Sequence, residues 1–218
     1  MSDLAHRAAA VSALAGAALL AVGTYLHPSG ADPNDALAAF TEYAADPHWV
    51  ATHLVQLAGI ALMVTALLLL SASLGPPAWV RVGVGGAGAS LAIAAALQAV
   101  DGVALKRVID AWAAAPELEK AAAFRAAFAV RQIEIGLASM LSLVLGATVS
   151  VYAVLFAVAG LTPRWLGGLA LAGGVSTVVA GVAIAETGFS DLAMSLDMPA
   201  GVLLLVWMAL LAHRVWRR

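Results

Sequence analysis

Six long apolar stretches follow one another along the chain, separated by short runs of polar or turn-forming residues. Apolar residues run continuously within each stretch instead of alternating with polar ones, and Ala and Leu dominate. Each stretch reaches the roughly 20 residues that an α-helix needs to cross a bilayer, whereas strands of a membrane barrel would show short alternating segments. The predicted spans are 8–26, 49–74, 82–105, 128–161, 165–189 and 192–212.

The segments between the spans contain recognisable turn and helix-start signals. Residues 27–35 (HPSGADPND) are rich in turn formers, and residues 35–45 predict a short surface helix. Pro116, followed by Glu117 and Glu119, is typical of a helix start with acids at its positive end. No small-residue cleavage site follows the first apolar run, so we expect it to be a retained span and not a secretory signal. The whole chain, 1–218, is expected to form one transmembrane domain.

Composition supports a membrane protein and excludes several functions. Of the 218 residues, 63% are hydrophobic and 11% charged, against roughly 25% charged in soluble domains. The absence of cysteine removes disulfides, thiolate catalysis, Cys-ligated zinc and iron–sulfur clusters. The net charge of -2 and the lack of a basic block indicate no nucleic-acid partner. We therefore expect an all-α polytopic transmembrane bundle of about six spans, with membrane lipids as its surroundings.

The distribution of Lys and Arg predicts the orientation of the bundle. The loops on the side of the termini carry Arg81 and Arg164, while the loops at 27–48 and 189–197 carry acids and no Lys or Arg. The 105–131 segment is an exception, with five basic residues. Since cytoplasmic loops are enriched in Lys and Arg, both termini are expected in the cytoplasm and the protein in the cell inner membrane.

Ionisable and amide side chains gather near the outer ends of the predicted spans. An ionisable residue within a span is costly and marks a possible functional site. Counted inward from the outer boundaries, His53, Asp101, Glu134 and Glu186 all lie within roughly one to two helical turns. Polar groups from several helices could therefore meet at one depth and form one outward-facing polar pocket. The pocket candidates are His27, His48, His53, Gln56, Asp101, Arg131, Glu134 and Glu186.

Several functions are open to such a pocket. It could bind a small or lipid-like ligand. Histidine and carboxylate are zinc-competent, so a zinc-dependent enzyme of the hydrolase type is an alternative, with His48, His53 and Glu134 as ligands and other histidines and acids of the group as substitutes. His27 with His48 or His53 could instead hold haem b. In a purely structural subunit, Arg131 pairs with Glu134 or Asp101, and the histidines lie among headgroups.

Glycines are dense in the third and fifth predicted spans. Glycine lets helix backbones approach closely in lipid, so these positions predict packing faces, within the chain or in a homo- or hetero-oligomer. The residues concerned are Gly83, Gly85, Gly86, Gly88, Gly167, Gly168, Gly173, Gly174 and Gly181.

Four segments carry a resemblance to other proteins: YLHPSGADPNDALAAFTEYAADPHWVATHLVQLAGIAL, AVDGVAL, AVRQIEIGL and ETGFSDLA. Together they resemble uncharacterised multi-pass bacterial membrane proteins of the domain-of-unknown-function type. The resemblance implies a small protein of the bacterial inner membrane and carries no catalytic residues.

Overall fold

The computed structural model describes residues 3–75 and 77–217, and all of its regular structure is helical. Six helices are long and apolar enough to cross a membrane, which confirms the predicted polytopic bundle. The third of them is one continuous helix that passes through a π-helical stretch, Ala99–Leu105, between α4 and α5. In order, the helices are α1 Asp3–Leu26, α2 Ala36–Ala45, α3 Trp49–Ser71, α4 Ala78–Gln98, α5 Lys106–Ala114, α6 Glu117–Val158, α7 Arg164–Thr187 and α8 Asp191–Trp216.

The six spans form a closed ring in chain order. Within the described chain, α1 packs on α3, α3 on α4, α4 on α6, α6 on α7, α7 on α8, and α8 returns to α1. The start of α1 and the end of α8 therefore lie side by side, and both termini emerge at the same end of the bundle. A small cavity of about 40 Å³ in the ring centre is lined only by apolar side chains, including Met63 and Trp207.

Glycine allows the closest helix contacts in the ring. A Cβ on Gly16 would meet the Gly59 carbonyl of α3 at 2.7 Å, and one on Gly146 would meet the Gly174 carbonyl of α7 at 2.5 Å. The predicted packing role holds for Gly83 and Gly86, which face α6, and for Gly167, Gly173, Gly174 and Gly181. It does not hold inside the chain for Gly85, Gly88 and Gly168, where a Cβ would meet nothing within 4 Å.

A helical cap extends from the end of the ring opposite the termini. Helix α6 has 42 residues, about 63 Å at 1.5 Å per residue, which is twice the roughly 30 Å of a hydrocarbon core. Its first turns and α5 make up most of the segment between the third and fourth predicted spans. The predicted helix start is confirmed, since α6 begins at Glu117 after Pro116.

Helix α2 lies against this projecting pair and closes the cap. Its predicted start is confirmed: the Asp35 carboxylate accepts hydrogen bonds from the backbone N–H groups of Leu37 and Ala38. At its other end Lys106 Nζ donates to the carbonyls of Tyr43 at 3.1 Å and Ala44 at 3.0 Å. A second hydrophobic cluster, separate from the core of the ring, joins these helices. It contains Phe40, Tyr43, Trp49, Leu105, Ile109 and Trp112.

Candidate functional site

His53 is the most deeply buried polar residue beneath the cap. It lies on the second turn of α3 and is 1% exposed. Its Nδ1 is 2.7 Å from the backbone carbonyl of Trp49, one turn earlier, and its Nε2 is 3.0 Å from Asp101 Oδ2. A carbonyl oxygen can only accept a hydrogen bond, so Nδ1 carries the proton. Nε2 is therefore the atom that is left to face the carboxylate.

The π-helical stretch brings Asp101 to His53. Short π-helical segments occur within longer helices and are frequent at functional sites. Here the Trp49 indole N–H donates to the Asp101 carbonyl at 2.9 Å and ties the stretch to α3. The next residue, Gly102, lies so close to α3 that a Cβ would meet His53 Cβ at 2.6 Å. Glycine at this position lets the carboxylate and the imidazole meet.

His27 approaches from the segment that follows α1. Its Nδ1 is 2.7 Å from the carbonyl of Pro28, so in this ring also Nδ1 is the proton-bearing nitrogen and Nε2 is available. Its ring centroid lies 5.1 Å from that of His53 and 4.9 Å from that of Trp49. Burial lowers the pKa of His27 below its ordinary value of 6.5, and nearby His53 lowers it further, while Asp101 raises it. His27 is therefore neutral at pH 7.

His27, His53 and Asp101 form a group, called here the triad, in which one ligand atom from each lies within 4.8 Å of the others. A tetrahedral zinc ion with bonds of 2.0–2.1 Å holds its ligand atoms about 3.3 Å apart. His53 Nε2 and Asp101 Oδ2, 3.0 Å apart, are near that spacing, and the His27 ligand atom lies within 4.8 Å of both, so it would move inward to bind the same ion. The other Asp101 oxygen, Oδ1, is buried and accepts no hydrogen bond from the described residues.

Arg131 and Glu134 form a separate buried ion pair on α6. Arg131 donates to both Glu134 oxygens at 2.7 Å, and the two side chains are 6% and 4% exposed. The other end of the guanidinium donates to the Pro33 carbonyl at 3.1 Å and lies 4.8 Å from the Phe189 ring centroid. This pair thereby attaches the 27–35 segment, which carries His27, to α6.

A second polar contact between α3 and α4 joins Gln56 and Gln98 and lies nearer the membrane centre than the triad. Gln98 Nε2 donates to Gln56 Oε1 at 3.2 Å, one helical turn deeper than the contact between His53 and Asp101. Gln98 Oε1 is buried without a hydrogen-bond partner among the described residues.

Six of the eight predicted pocket residues lie beneath the cap in three contacting sets: His27 with His53 and Asp101, Arg131 with Glu134, and Gln56 with Gln98. The remaining two, His48 and Glu186, are exposed, and His48 is the residue that precedes α3. The predicted metal ligands His48, His53 and Glu134 do not form a group among the described residues: His48 is exposed, and Arg131 occupies both oxygens of Glu134. His27 and Asp101 stand in their place. The His27 and His53 rings are also too close for a porphyrin to lie between them.

Several neighbours of the triad could not be recognised as such from the sequence. Trp49 is 1% exposed and packs on both histidines. Tyr43 packs on Trp49 with ring centroids 4.3 Å apart, and burial raises the pKa of its hydroxyl above 10.0. The spacing of Trp49 and His53, four apart on one helix face, was the available signal.

No protein-family model, no curated protein and no solved structure matches this chain.

Proposed function

We propose that this chain is a metal-binding protein of the bacterial cytoplasmic membrane, and that its function resides in a divalent transition-metal ion held by His27, His53 and Asp101. One observation carries the proposal. Two imidazoles have their Nδ1 atoms bound to backbone carbonyls, which leaves both Nε2 atoms free, and a ligand atom of each ring lies within 4.8 Å of one carboxylate oxygen. Metal-binding histidines characteristically donate their other ring nitrogen in this way, which fixes the tautomer and the ring orientation.

The charge of the site supports a cation. His53 carries its proton on Nδ1, so an uncharged ring would turn a lone pair toward Asp101 Oδ2 at 3.0 Å. Two facing lone pairs repel each other. A positive charge on or between these atoms, either a second proton or a metal ion, makes the contact favourable. Asp101 Oδ1 is buried and has no hydrogen-bond partner among the described residues, so it also favours a positive charge nearby.

The donor set narrows the class of metal. Two imidazole nitrogens and one carboxylate oxygen are typical of catalytic zinc and of non-haem iron(II) sites, both of which keep at least one position for water or substrate. The donor set does not suit Ca²⁺ or Mg²⁺, which prefer oxygen ligands. We propose zinc or iron(II), with a metal-bound water at the open position.

The distribution of charge supports the proposed orientation. The triad lies at the end of the ring opposite both termini. The end of the bundle where the termini lie carries Arg7, Arg81, Arg164 and Arg217. By the positive-inside rule, that end faces the cytoplasm and the triad lies beneath the periplasmic surface. The metal would then come from the periplasm.

Titration calorimetry with the purified, chelator-treated protein in detergent tests the proposal. We expect Zn²⁺ to bind with one ion per chain. H27Q, H53Q and D101N should each weaken binding by more than about 100-fold, since loss of only a supporting residue commonly costs 10–100-fold. H48Q and E186Q replace exposed groups outside the triad and should bind as the wild type does. Absence of zinc and iron(II) binding in the wild type would contradict the proposal.

A further inference from the structure

A polar cavity lies at the opposite end of the molecule from the triad, where the chain starts and ends. It is a hollow of about 190 Å³ that is partly open to the surface. It lies between the first turns of α1 and the last turn of α8. The lining residues are Asp3, His6, Arg7, Val215, Trp216 and Arg217.

Two arginines give the cavity affinity for an anion. The Arg7 guanidinium lies 5.8 Å from the centre of the Trp216 ring, which holds it in place and leaves its N–H donors available. Among the described residues, neither Arg7 nor Arg217 has a carboxylate within 4 Å. Guanidinium groups bind phosphate oxygens through paired hydrogen bonds, so phosphate is the anion that this pair suits.

The surface next to the cavity is apolar and runs into the membrane. Val11 and Leu14 lie on the same face of α1 as Arg7 and are 55% and 56% exposed. A molecule with its phosphate at Arg7 would therefore lay any attached hydrocarbon along α1. Trp216, at the last turn of α8, is 56% exposed, and tryptophans at the ends of spans favour contact with lipid headgroups.

We propose that this cavity binds the phosphodiester headgroup of an anionic phospholipid of the phosphatidylglycerol class, with an acyl chain against Val11 and Leu14. Basic pockets between transmembrane helices on the cytoplasmic side are known to hold such headgroups. The combination of a cavity, two arginines and an aligned apolar face distinguishes this site from the scattered arginines that orient a membrane protein. The proposal does not depend on the metal site.

Native mass spectrometry of the detergent-purified protein measures the lipid directly. Short-chain phosphatidylglycerol, short-chain phosphatidylcholine and inorganic phosphate are added separately. We expect one phosphatidylglycerol per chain to remain bound, at least tenfold more tightly than phosphatidylcholine, and little effect of inorganic phosphate as a competitor. R7Q/R217Q should lose this preference. R81Q/R164Q removes the same charge from the same end outside the cavity and should keep it.

A charge-conserving variant separates lipid binding from folding. R7K/R217K should retain part of the preference, and all variants should melt at the wild-type temperature in phosphatidylcholine alone. Equal binding of the two lipids, or equal loss in R81Q/R164Q, would overturn the proposal, since either result indicates diffuse charge. Displacement of the lipid by equimolar inorganic phosphate would also overturn it, because the site would then bind free anions.

Discussion

His53 Nε2 lies 3.0 Å from Asp101 Oδ2, while the other ring nitrogen of His53 donates to the carbonyl of Trp49. These two contacts leave the histidine no uncharged form that satisfies both partners. The proposal of a bound cation follows from this mismatch between His53 and its two partners. With Asp101 ionised, the contact is favourable only with a positive charge where α3 meets the π-helical stretch, either a second proton on His53 or the proposed metal ion. His27 supplies a third candidate ligand atom within 4.8 Å.

Asp101→Asn separates metal binding from folding. The asparagine amide can donate a hydrogen bond to the His53 Nε2 lone pair, so the contact no longer needs a cation. We expect D101N to fold and to show no stabilisation by zinc. In the wild type, zinc at 100 times its Kd should raise the free energy of unfolding by about 2.7 kcal/mol. Thermal unfolding with and without zinc measures the stability of D101N and its response to zinc. H48Q should respond to zinc as the wild type does. A full zinc response in D101N would contradict the assignment of Asp101.

Replacing Arg131 should destabilise the protein strongly. R131A leaves the Glu134 carboxylate buried without its partner, and loss of one member of a buried pair typically costs 3–5 kcal/mol. The matched control is D110N, which breaks the Lys106–Asp110 pair where Asp110 is 49% exposed. We expect that change to cost only about 0–1 kcal/mol. Denaturant unfolding in detergent compares the two, and similar losses would show that the Arg131 pair is not isolated from solvent.

Gly102→Ala tests the close approach of α3 and the π-helical stretch. The new Cβ would meet His53 Cβ at 2.6 Å, so the helices must separate or the imidazole must move. We expect a loss of about 1–3 kcal/mol in the free energy of unfolding and a weaker zinc affinity. G88A is the control, because a Cβ there meets nothing within 4 Å, and helix propensity favours alanine by about 1 kcal/mol. An unchanged zinc affinity in G102A would show that His53 does not depend on this contact.

The pH dependence of stability reports on His27. Burial holds the pKa of His27 below 6.5 in the folded protein, whereas in the unfolded chain it titrates near 6.5. As pH falls below 6.5, the unfolded state gains a proton that the folded state resists, so this residue lowers stability in that range. We expect the metal-free wild type to lose more thermal stability than H27Q between pH 7.5 and pH 5.5. H48Q should follow the wild type, and an identical pH dependence in H27Q would contradict the inferred burial.

The spans were predictable because lipid imposes a simple rule. A continuous apolar stretch of sufficient length must form a helix with all of its backbone hydrogen bonds made internally. The same rule does not apply beyond the membrane, so the apolar pattern did not show that α5 and the first turns of α6 extend the helices past the predicted spans. Local signals at Asp35 and Pro116 identified the helix starts, because each depends on residues only a few positions away.

The sequence predicted which residues belong to the site better than it predicted which of them contact each other. The depth of each residue in its span grouped His53, Asp101, Glu134 and Glu186 in one layer. His53 and Asp101 are in contact and Glu134 is buried beside Arg131, whereas Glu186 is exposed. Which acid lies beside the histidines depends on distant elements. Arg131 binds Glu134 three residues along α6, and this leaves Asp101 for His53. The position of His27 depends on the 27–35 segment, whose shape is set by contacts such as that of Arg131 with the Pro33 carbonyl.

The zinc K-edge X-ray absorption spectrum of the zinc-loaded protein tests the central claim most directly. The triad predicts a first shell of nitrogen and oxygen at about 2.0–2.1 Å, with the outer-shell scattering of two imidazoles in the wild type and of one imidazole in H53Q. A spectrum without imidazole scattering, or one that is unchanged in H53Q, would show that zinc binds elsewhere and would contradict the account.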